Sequence, residues 1–232
     1  VSVQSACGRV TAKAVYAAIC APHYAASAMD GIAIKAKDSF GATDTTPVTL
    51  AAGQFTVVDT GDPIPAGCDA VIMVEELVHD PDGSVTVHAP AAPWQHIRQI
   101  GEDICAGEMI LPSYTRITPS AVGALIAGGV LELEVFRKPR VAIIPTGDEI
   151  VAPCADPKPG DILEFNSSIF SSMLSQWGAQ PVVYPIIPDD HEKIKAAVSR
   201  AADECDMVVL NAGSSAGRED FSAGVIGELG QV

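Results

Sequence analysis

Acidic side chains in short loops of small residues are the first candidates for chemistry in this sequence. Asp30 lies in SAMDG (Ser27–Gly31), and Asp followed by Gly is typical of an ordinary turn. The alternative is a carboxylate presented to a ligand, and similar loops elsewhere favour it. Together they predict a carboxylate-rich cleft, although each alone is compatible with β-turn chemistry. These loops are TGDPIP (with Thr60 and Asp62), Glu75-Glu76, and IRQIGEDI (with Arg98, Glu102 and Asp103).

A second group of acids follows the apolar runs in the last third of the sequence. Ligands of open α/β sheets bind beyond the carboxyl ends of the strands, so residues that directly follow the strands should meet at one rim. Like charges at such a rim repel each other unless a cation joins them, and Mg²⁺ prefers oxygen ligands. The alternative is that these residues only cap helices. The acids are Asp148, Glu149, Asp189, Asp190, Glu219 and Asp220.

A stretch rich in glycine and serine, NAGSSAGRED (211–220), lies between an apolar run and a predicted helix. The backbone N–H groups of such a loop can bind an anion at the start of the helix. The stretch has neither the GxxxxGK pattern of a P-loop nor the GxGxxG pattern of dinucleotide-binding proteins. A flexible connection is the alternative interpretation.

The first group of acids is predicted to lie on a β-rich region that spans about residues 30–100. Short apolar runs at 48–50, 71–74 and 85–87 are separated by Gly, Pro and Asp. A turn sequence at 80–83 joins 76–79 to 84–88, which predicts a hairpin.

A short helix and a strand are predicted to follow the β-rich region. Thr118 and Pro119 are typical of a helix start, and Gly128-Gly129 of its end. Alternating apolar and acidic residues predict a strand over 131–137. Its apolar positions on one side are Leu131, Leu133 and Val135.

The last third of the sequence has the pattern of a doubly wound α/β domain with a parallel sheet. Continuous apolar runs at 141–144, 182–187 and 207–210 predict strands buried on both faces. The predicted helices are 167–177 (capped by Asn166 and ended by Gly178), a segment capped by Asp189 with Glu192 in a capping box, and 221–229.

Composition excludes several classes of protein. The 232 residues include 14 Lys and Arg against 29 Asp and Glu, and this net charge of −15 argues against binding to nucleic acid or to an anionic membrane. The sequence has no apolar run of about 18 residues and no signal peptide. The six cysteines form no CxxC pair, so we expect reduced thiols in a cytoplasmic protein. Both ends of the sequence suggest part of a longer protein.

Five motifs occur in the order found in the MoeA family of molybdopterin molybdenumtransferases, which is related to the E domain of gephyrin. The sequence resembles this family from about Gly8 to its end. The resemblance implies a multidomain α+β protein, in which linker elements (1–24 and 101–137) carry a β-rich inserted domain (25–100). A truncated three-layer, MogA-like α/β molybdopterin-binding domain (138–232) follows, and a C-terminal β-barrel domain is absent. The motifs are SAMDG (27–31), TGDPIPAG (60–67), RQIGEDI (98–104), PTGDE (145–149) and PGDI (159–162).

The resemblance also implies an activity. Family members insert molybdenum from molybdate into adenylylated molybdopterin, cleave its phosphoanhydride with the help of Mg²⁺, and release AMP. They are homodimers whose cleft lies between the α/β domain of one subunit and the β-rich domain of the other. A molybdopterin adenylyltransferase is a further expected partner. The implied catalytic acids are Asp30, Asp103, Glu149, Asp189 and Asp220, and we expect the last three to hold the metal. The expected ligand-binding residues are Thr60, Thr146, Gly147, Gly213, Ser214, Ser215 and Gly217, with Arg98 and Arg218 as candidate anion-binding charges.

The sequence departs from the family pattern at Ala212, where a glycine is common, and at Ile32, where an aromatic residue is common. Because the N-terminal helix is incomplete and the barrel domain is absent, we expect the chain alone to dimerise poorly and to lack activity. Two other functions stay open: a molybdopterin adenylyltransferase, which lacks SAMDG and the β-rich insertion, and a non-catalytic scaffold, which needs no set of five carboxylates. No motif distinguishes molybdate from tungstate.

Overall fold

A computed structural model describes residues 1–212 and 222–230. The chain divides into two compact units, Val1–Val135 (unit 1) and Phe136–Val232 (unit 2). No helix in the described part of the chain is long and apolar enough to cross a membrane.

Unit 1 consists mainly of short antiparallel strands. Its four sheets have the strand orders β5-β3-β6, β4-β8-β7, β2-β9 and β1-β10. One α-helix, α1 (Pro119–Ala127), and 3₁₀ turns at Val3–Ser5, Ala36–Ser39 and Val74–Glu76 complete it. The strands are β1 (Val15–Tyr16), β2 (Ala26–Ser27), β3 (Gly31–Ile34), β4 (Val48–Leu50), β5 (Thr56–Val58), β6 (Ala70–Met73), β7 (Leu77–His79), β8 (Val85–Val87), β9 (Ile97–Arg98) and β10 (Met109–Leu111).

Strand β3 is central because both of its faces are buried. Side chains alternate along a strand, so Ile32 and Ile34 enter one apolar core together with strands β4 and β8. Ala33 points the other way, into a second core with Val58 and Val71. The predicted runs at 48–50, 71–74 and 85–87 are thus confirmed as strands. The predicted hairpin is confirmed as well, since β7 pairs with β8 in antiparallel register.

The helix predicted after Thr118 is confirmed, and the strand predicted over 131–137 is wrong. The Thr118 hydroxyl accepts a hydrogen bond from the Ala121 amide at 3.2 Å, as an N-cap should. Residues 131–135 form only isolated bridges, because their backbone bonds go to two separate segments, 1–3 and 11–12. Leu131 and Leu133, expected on the same side of that strand, differ in burial: Leu131 is 71% exposed and Leu133 is buried.

Unit 2 has a parallel sheet of strand order β14-β11-β15 and a separate parallel pair, β12-β13. Helix α2 contacts β11 and β14, while α3 contacts β11, β15 and α4. The strands are β11 (Arg140–Pro145), β12 (Ile150–Val151), β13 (Ile162–Leu163), β14 (Gln180–Val183) and β15 (Met207–Asn211). The helices are α2 (Asn166–Gln176), α3 (His191–Glu204) and α4 (Ser222–Leu229).

The expectation of strands buried on both faces holds for β11 only. Residues 141–145 of β11 are all buried, and Ala142 and Ile144 pack against α3 and α4. Strands β14 and β15 flank it and are partly exposed. Strand β14 also ends at Val183 rather than at residue 187, and pairing with the segment after β11 recurs at the isolated parallel bridge between Ile187 and Thr146.

Two predicted helix caps are wrong. Helix α2 starts one residue earlier than expected, so Asn166 lies inside it, and the Glu164 carboxylate accepts from the Ser167 amide at 2.8 Å instead. Helix α3 is capped by Asp190, whose side chain accepts from the Lys193 amide at 3.0 Å. Asp189, the predicted cap, is therefore not needed for that purpose.

Candidate functional site

The SAMDG stretch bends at residues 28–30, between β2 and β3, and enters the central strand of unit 1 at Gly31. Gly31 is the first residue of β3 and pairs with Met73 on one side and Val58 on the other. A Cβ atom on Gly31 would lie 2.0 Å from the carbonyl oxygen of Ile72, closer than any side chain allows. Glycine is required here by the close approach of a neighbouring strand, and Asp30 is thereby placed at the strand's entrance.

The TGDPIP loop holds the Asp30 carboxylate from the other side. The amide and the hydroxyl of Thr60 both donate to Oδ1 of Asp30, at 2.6 and 2.7 Å. Both bonds favour the charged carboxylate and so lower the pKa of Asp30. The bond from the hydroxyl is the larger cause and the bond from the amide the smaller. The side chain is exposed, so the carboxylate is fixed in one orientation and still accessible to a ligand.

Backbone hydrogen bonds tie this loop to SAMDG. The Gly61 amide donates to the Ser27 carbonyl, and the Ser27 amide donates to the Asp62 carbonyl, both at 2.9 Å. Gly61 has φ +94°, a backbone conformation that favours glycine. Within the loop, the Asp62 carboxylate accepts from the Asp59 amide at 2.9 Å, so Asp62 shapes the loop and Thr60 contacts Asp30.

The IRQIGEDI motif, the third acidic motif of unit 1, borders the start of the SAMDG stretch. Strand β9 pairs with β2, with Arg98 opposite Ala26. The Arg98 guanidinium donates to the Asp103 carboxylate at 2.6 Å and lies 3.7 Å from that of Glu102. The hydrogen bond that Arg98 donates to Asp103 is the main cause that raises the pKa of Arg98. Arg98, predicted as an anion-binding charge, is thus already paired with Asp103, and the two form one candidate group.

Glu75 and Glu76 directly follow a residue whose amide is bonded to Asp30. They belong to the 3₁₀ turn Val74–Glu76, and the Val74 amide donates to the Asp30 carbonyl at 2.9 Å. The structure therefore brings TGDPIP and the turn after Val74 to the entrance of β3. The IRQIGEDI loop instead runs beside residues 21–26, since the Asp103 amide donates to the Ala21 carbonyl at 3.0 Å.

In unit 2, hydrogen bonds join the loop after β11 to the segments that follow the two neighbouring strands, β14 and β15. The amide and hydroxyl of Thr146 donate to the Asn211 carbonyl at 2.9 and 3.2 Å, and the Gly147 amide donates to the Ile187 carbonyl at 3.1 Å. Thr146 is buried, so its hydroxyl serves this link. Gly147 has φ +144°, and a Cβ atom there would lie 2.6 Å from Ile150.

A carboxylate also links the two acidic loops of unit 2. Oδ1 of Asp148 accepts from the Asp189 amide at 3.2 Å. This bond brings Asp148, the neighbour of Glu149, next to Asp189. Asp148 was counted among the rim acids but not among the expected catalytic residues, and its position after a buried strand was the signal that pointed to it.

The donors at this rim fit a hard cation, since they are carboxylate oxygens. The part of the chain that the structure describes contains no group of three His, Cys, Asp or Glu side chains that could hold a metal ion. Glu149 and Asp189 are described, whereas the third expected ligand, Asp220, lies outside the described residues. The expected loop residues Gly213, Ser214, Ser215, Gly217 and Arg218 lie outside them too.

Two family models together match most of the chain. A model described as "MoeA N-terminal region (domain I and II)" matches residues 1–129, and one described as "Probable molybdopterin binding domain" matches residues 142–232.

Curated relatives and solved structures agree with these matches. The chain is 34% identical to "Molybdopterin molybdenumtransferase 2" of Mycobacterium tuberculosis over 94% of its own length and 57% of that protein's. It is 29% identical to the molybdopterin molybdenumtransferase of Haemophilus influenzae, of which it covers 60%. A crystal structure of a molybdopterin biosynthesis MoeA protein from Pyrococcus horikoshii superposes with a TM-score of 0.83 at 33% identity, over 93% of this chain and 61% of that one.

The chain thus spans about 60% of the length of the relatives that it matches. Its β-rich first unit and its MogA-like second unit follow each other as in those proteins. The matches, the fold and the order of the motifs agree, and the chain belongs to the MoeA family.

Proposed function

We propose that the protein inserts molybdenum into molybdopterin. Adenylylated molybdopterin and molybdate are the substrates, the phosphoanhydride is cleaved with the help of Mg²⁺, and AMP is released. The observation that carries this proposal is the Asp30 carboxylate, which is exposed yet held by two donors of Thr60 at 2.6 and 2.7 Å. A fixed and accessible anion is what a site needs to orient a metal ion or a charged substrate.

We assign a different task to each cluster. In unit 1, Asp30 orients a charged substrate or its metal ion, and Arg98 with Asp103 forms the neighbouring group. An arginine that keeps a carboxylate partner can exchange it for an incoming phosphate or molybdate oxygen, since guanidinium binds both.

In unit 2 we propose that Glu149 and Asp189 hold Mg²⁺ together with Asp220. A divalent cation neutralises charge on the non-bridging oxygens of a phosphoanhydride. The contact between Asp148 and the Asp189 amide supports this assignment, because it holds the loop that carries Glu149 against the loop that carries Asp189. The assignment of Gly213, Ser214, Ser215 and Gly217 to the pterin phosphate rests on the sequence alone, as does that of Thr146 and Gly147 to the ligand.

The test is an assay of AMP release by the whole protein that contains this chain, with adenylylated molybdopterin and Mg²⁺, in the presence and absence of molybdate. The proposal expects AMP release only with molybdate, and a loss of roughly 100-fold or more for Glu149→Gln. A protein that binds the adenylylated substrate tightly but never releases AMP would be a scaffold, and the proposal would be wrong.

The expected assembly and location belong to the same proposal. We propose a cytoplasmic homodimer, with a molybdopterin adenylyltransferase as the source of the adenylylated substrate. Sedimentation of the whole protein tests the dimer, and a monomer at micromolar concentration would contradict it.

A further inference from the structure

Two cysteines of unit 1, far apart in sequence, lie opposite each other on adjacent chain segments. Ala21 and Ile104 form an antiparallel bridge in which each amide donates to the other's carbonyl, at 2.8 and 3.1 Å. Cys20 precedes Ala21 and Cys105 follows Ile104, so these two cysteines form the next pair in this antiparallel register. In antiparallel pairing, the pair next to a mutually bonded pair is non-hydrogen-bonded, with Cα atoms about 4.5 Å apart.

The same register occurs again beyond the two cysteines. Tyr16 in β1 lies opposite Met109 in β10, which is the same register as that of Ala21 and Ile104. Antiparallel pairs therefore flank the two cysteines on both sides. The segments between these pairs bend away, since the amides of Ala18 and Ile19 donate to the Gly128 carbonyl and the Glu108 amide donates to the Cys105 carbonyl.

The positions of the sulfur atoms agree with the backbone register. A Cβ atom on Gly101 would lie 3.0 Å from Sγ of Cys105 and 3.5 Å from Sγ of Cys20, so both sulfurs point to the same place. The Cys105 thiol donates to the Gly101 carbonyl at 3.4 Å, and the Cys20 sulfur accepts from the Ala106 amide at 3.3 Å. The absence of a side chain at Gly101 leaves the space into which both thiols extend.

We propose that Cys20 and Cys105 form a reversible disulfide and are a site of thiol–disulfide exchange. The expected Cα separation of about 4.5 Å lies inside the range that a disulfide spans, about 4.4–6.8 Å. Cys105 is exposed and Cys20 is partly exposed, so a small disulfide such as oxidised glutathione reaches them. This inference does not depend on the proposed function.

The exchange proceeds in two balanced steps. The Cys105 thiolate attacks one sulfur of oxidised glutathione, which forms a mixed disulfide and releases one glutathione thiolate. The Cys20 thiolate then attacks the Cys105 sulfur of that mixed disulfide and releases the second glutathione. The two protons lost by the cysteine thiols end on the two glutathione molecules, so the protein is oxidised by two electrons and the glutathione is reduced by two.

The new bond would tie together the two segments that the Ala21–Ile104 bridge now joins by hydrogen bonds alone. Residues 101–105 carry Glu102 and Asp103, and Gly101 has φ +76°. Oxidation therefore limits the movement of the loop on which Asp103 pairs with Arg98, and reduction releases it.

The test equilibrates the protein with mixtures of reduced and oxidised glutathione, blocks the remaining thiols with N-ethylmaleimide, and identifies each cysteine by peptide mass spectrometry. We expect Cys20 and Cys105 to lose their label together in one transition and to appear as a cross-linked peptide pair. Cys20→Ser should leave Cys105 as a mixed disulfide with glutathione, because the second step is then blocked.

The matched control is Cys154→Ser, which removes an exposed cysteine of unit 2 and should leave the transition unchanged. Circular dichroism of each variant establishes that it folds. Labelling of both Cys20 and Cys105 throughout the oxidising range would overturn the proposal, and so would two separate mixed disulfides on the wild-type protein without a cross-link.

Discussion

Thr60 donates two hydrogen bonds to a single oxygen of Asp30, one from its amide at 2.6 Å and one from its hydroxyl at 2.7 Å. The two residues are 30 positions apart in sequence, and the loop that carries Thr60 is itself bonded to Ser27 through Gly61 and Asp62. The SAMDG and TGDPIP motifs are therefore one structural feature.

Removal of the Thr60 hydroxyl should weaken the hold on Asp30. In Thr60→Val the hydrogen bond from the backbone amide to Asp30 remains, and the hydrogen bond from the hydroxyl is lost. The lowered pKa of Asp30 should therefore rise towards its ordinary value. Because the carboxylate is needed in its charged form, the acid limb of the activity profile should move to higher pH, and activity at neutral pH should fall roughly 10- to 100-fold, as for groups that position a metal-binding carboxylate. The pH profile of AMP release measures this effect.

Thr60→Ser is the matched control, because it keeps the hydroxyl. It should retain the wild-type acid limb. If Thr60→Val and Thr60→Ser have the same pH profile, the hydroxyl does not control Asp30.

Gly31→Ala should destabilise unit 1 strongly. The added Cβ would lie 2.0 Å from the Ile72 carbonyl oxygen, a backbone atom that cannot move without disturbing β6. Such crowding costs about 3 kcal/mol, which urea unfolding measures. Gly123→Ala in α1 is the control: its Cβ meets no atom within 4 Å, so it should stabilise the helix by about 0.5–1 kcal/mol. Equal unfolding midpoints for the two variants would show that Gly31 is not constrained.

Substitutions of the neighbours Asp189 and Asp190 should have different effects, one on activity and the other on stability. Asp190 caps α3, so Asp190→Ala should lower the free energy of unfolding by about 1 kcal/mol and leave most of the activity. Asp189 uses its backbone amide to bind Asp148, a bond that Asp189→Ala preserves. Loss of the Asp189 carboxylate should reduce AMP release, because this carboxylate is a proposed metal ligand. The reverse result would show that the two roles have been assigned to the wrong residues.

Asp206 should make the stability of unit 2 dependent on pH. Its carboxylate accepts from the Arg137 guanidinium, and from the Arg140 amide at 2.8 Å, and Arg137 lowers the pKa of Asp206 to about 2. A lowered pKa gives stability that is present above the unfolded value of about 4 and is lost as the pH falls towards 2. Because Arg137 is largely exposed, the effect should be small.

The measurement is the urea midpoint of wild type and Asp206→Asn at pH 7, 5, 4 and 3. The wild type should have the higher midpoint at pH 7 and 5, and the difference should shrink below pH 4. Asp203→Asn, which changes an exposed aspartate of α3, should show no such trend. A difference between wild type and Asp206→Asn that stays constant down to pH 3 would contradict the assignment.

Local patterns predicted the fold well where short-range chemistry determines it. The hairpin of β7 and β8, the Thr118 cap of α1 and the buried strand β11 all depend on turn residues, a capping hydroxyl or a continuous apolar run. The strand expected over 131–137 was wrong because its backbone bonds are divided between two distant segments of the chain. No local pattern records such a division.

The sequence indicates candidate acids more readily than the partners of those acids. Asp189 and Asp190 are identical residues side by side, and only the fold shows that the second one caps α3. The pairing of Arg98 with Asp103 likewise depends on the path of the loop between them. Asp30 could be selected from its motif, whereas the need for Gly31 arises from the approach of Ile72, which is distant in sequence.

The most direct measurement of the central claim is AMP release from adenylylated molybdopterin by the whole protein carrying Asp30→Asn. Asparagine keeps an oxygen that can accept from Thr60 and removes only the charge. The account predicts a folded protein whose molybdate-dependent AMP release falls roughly 100-fold, while wild type releases AMP only when molybdate is present. Full molybdate-dependent release by Asp30→Asn would contradict it, since the fixed charge of Asp30 would then have no part in the reaction.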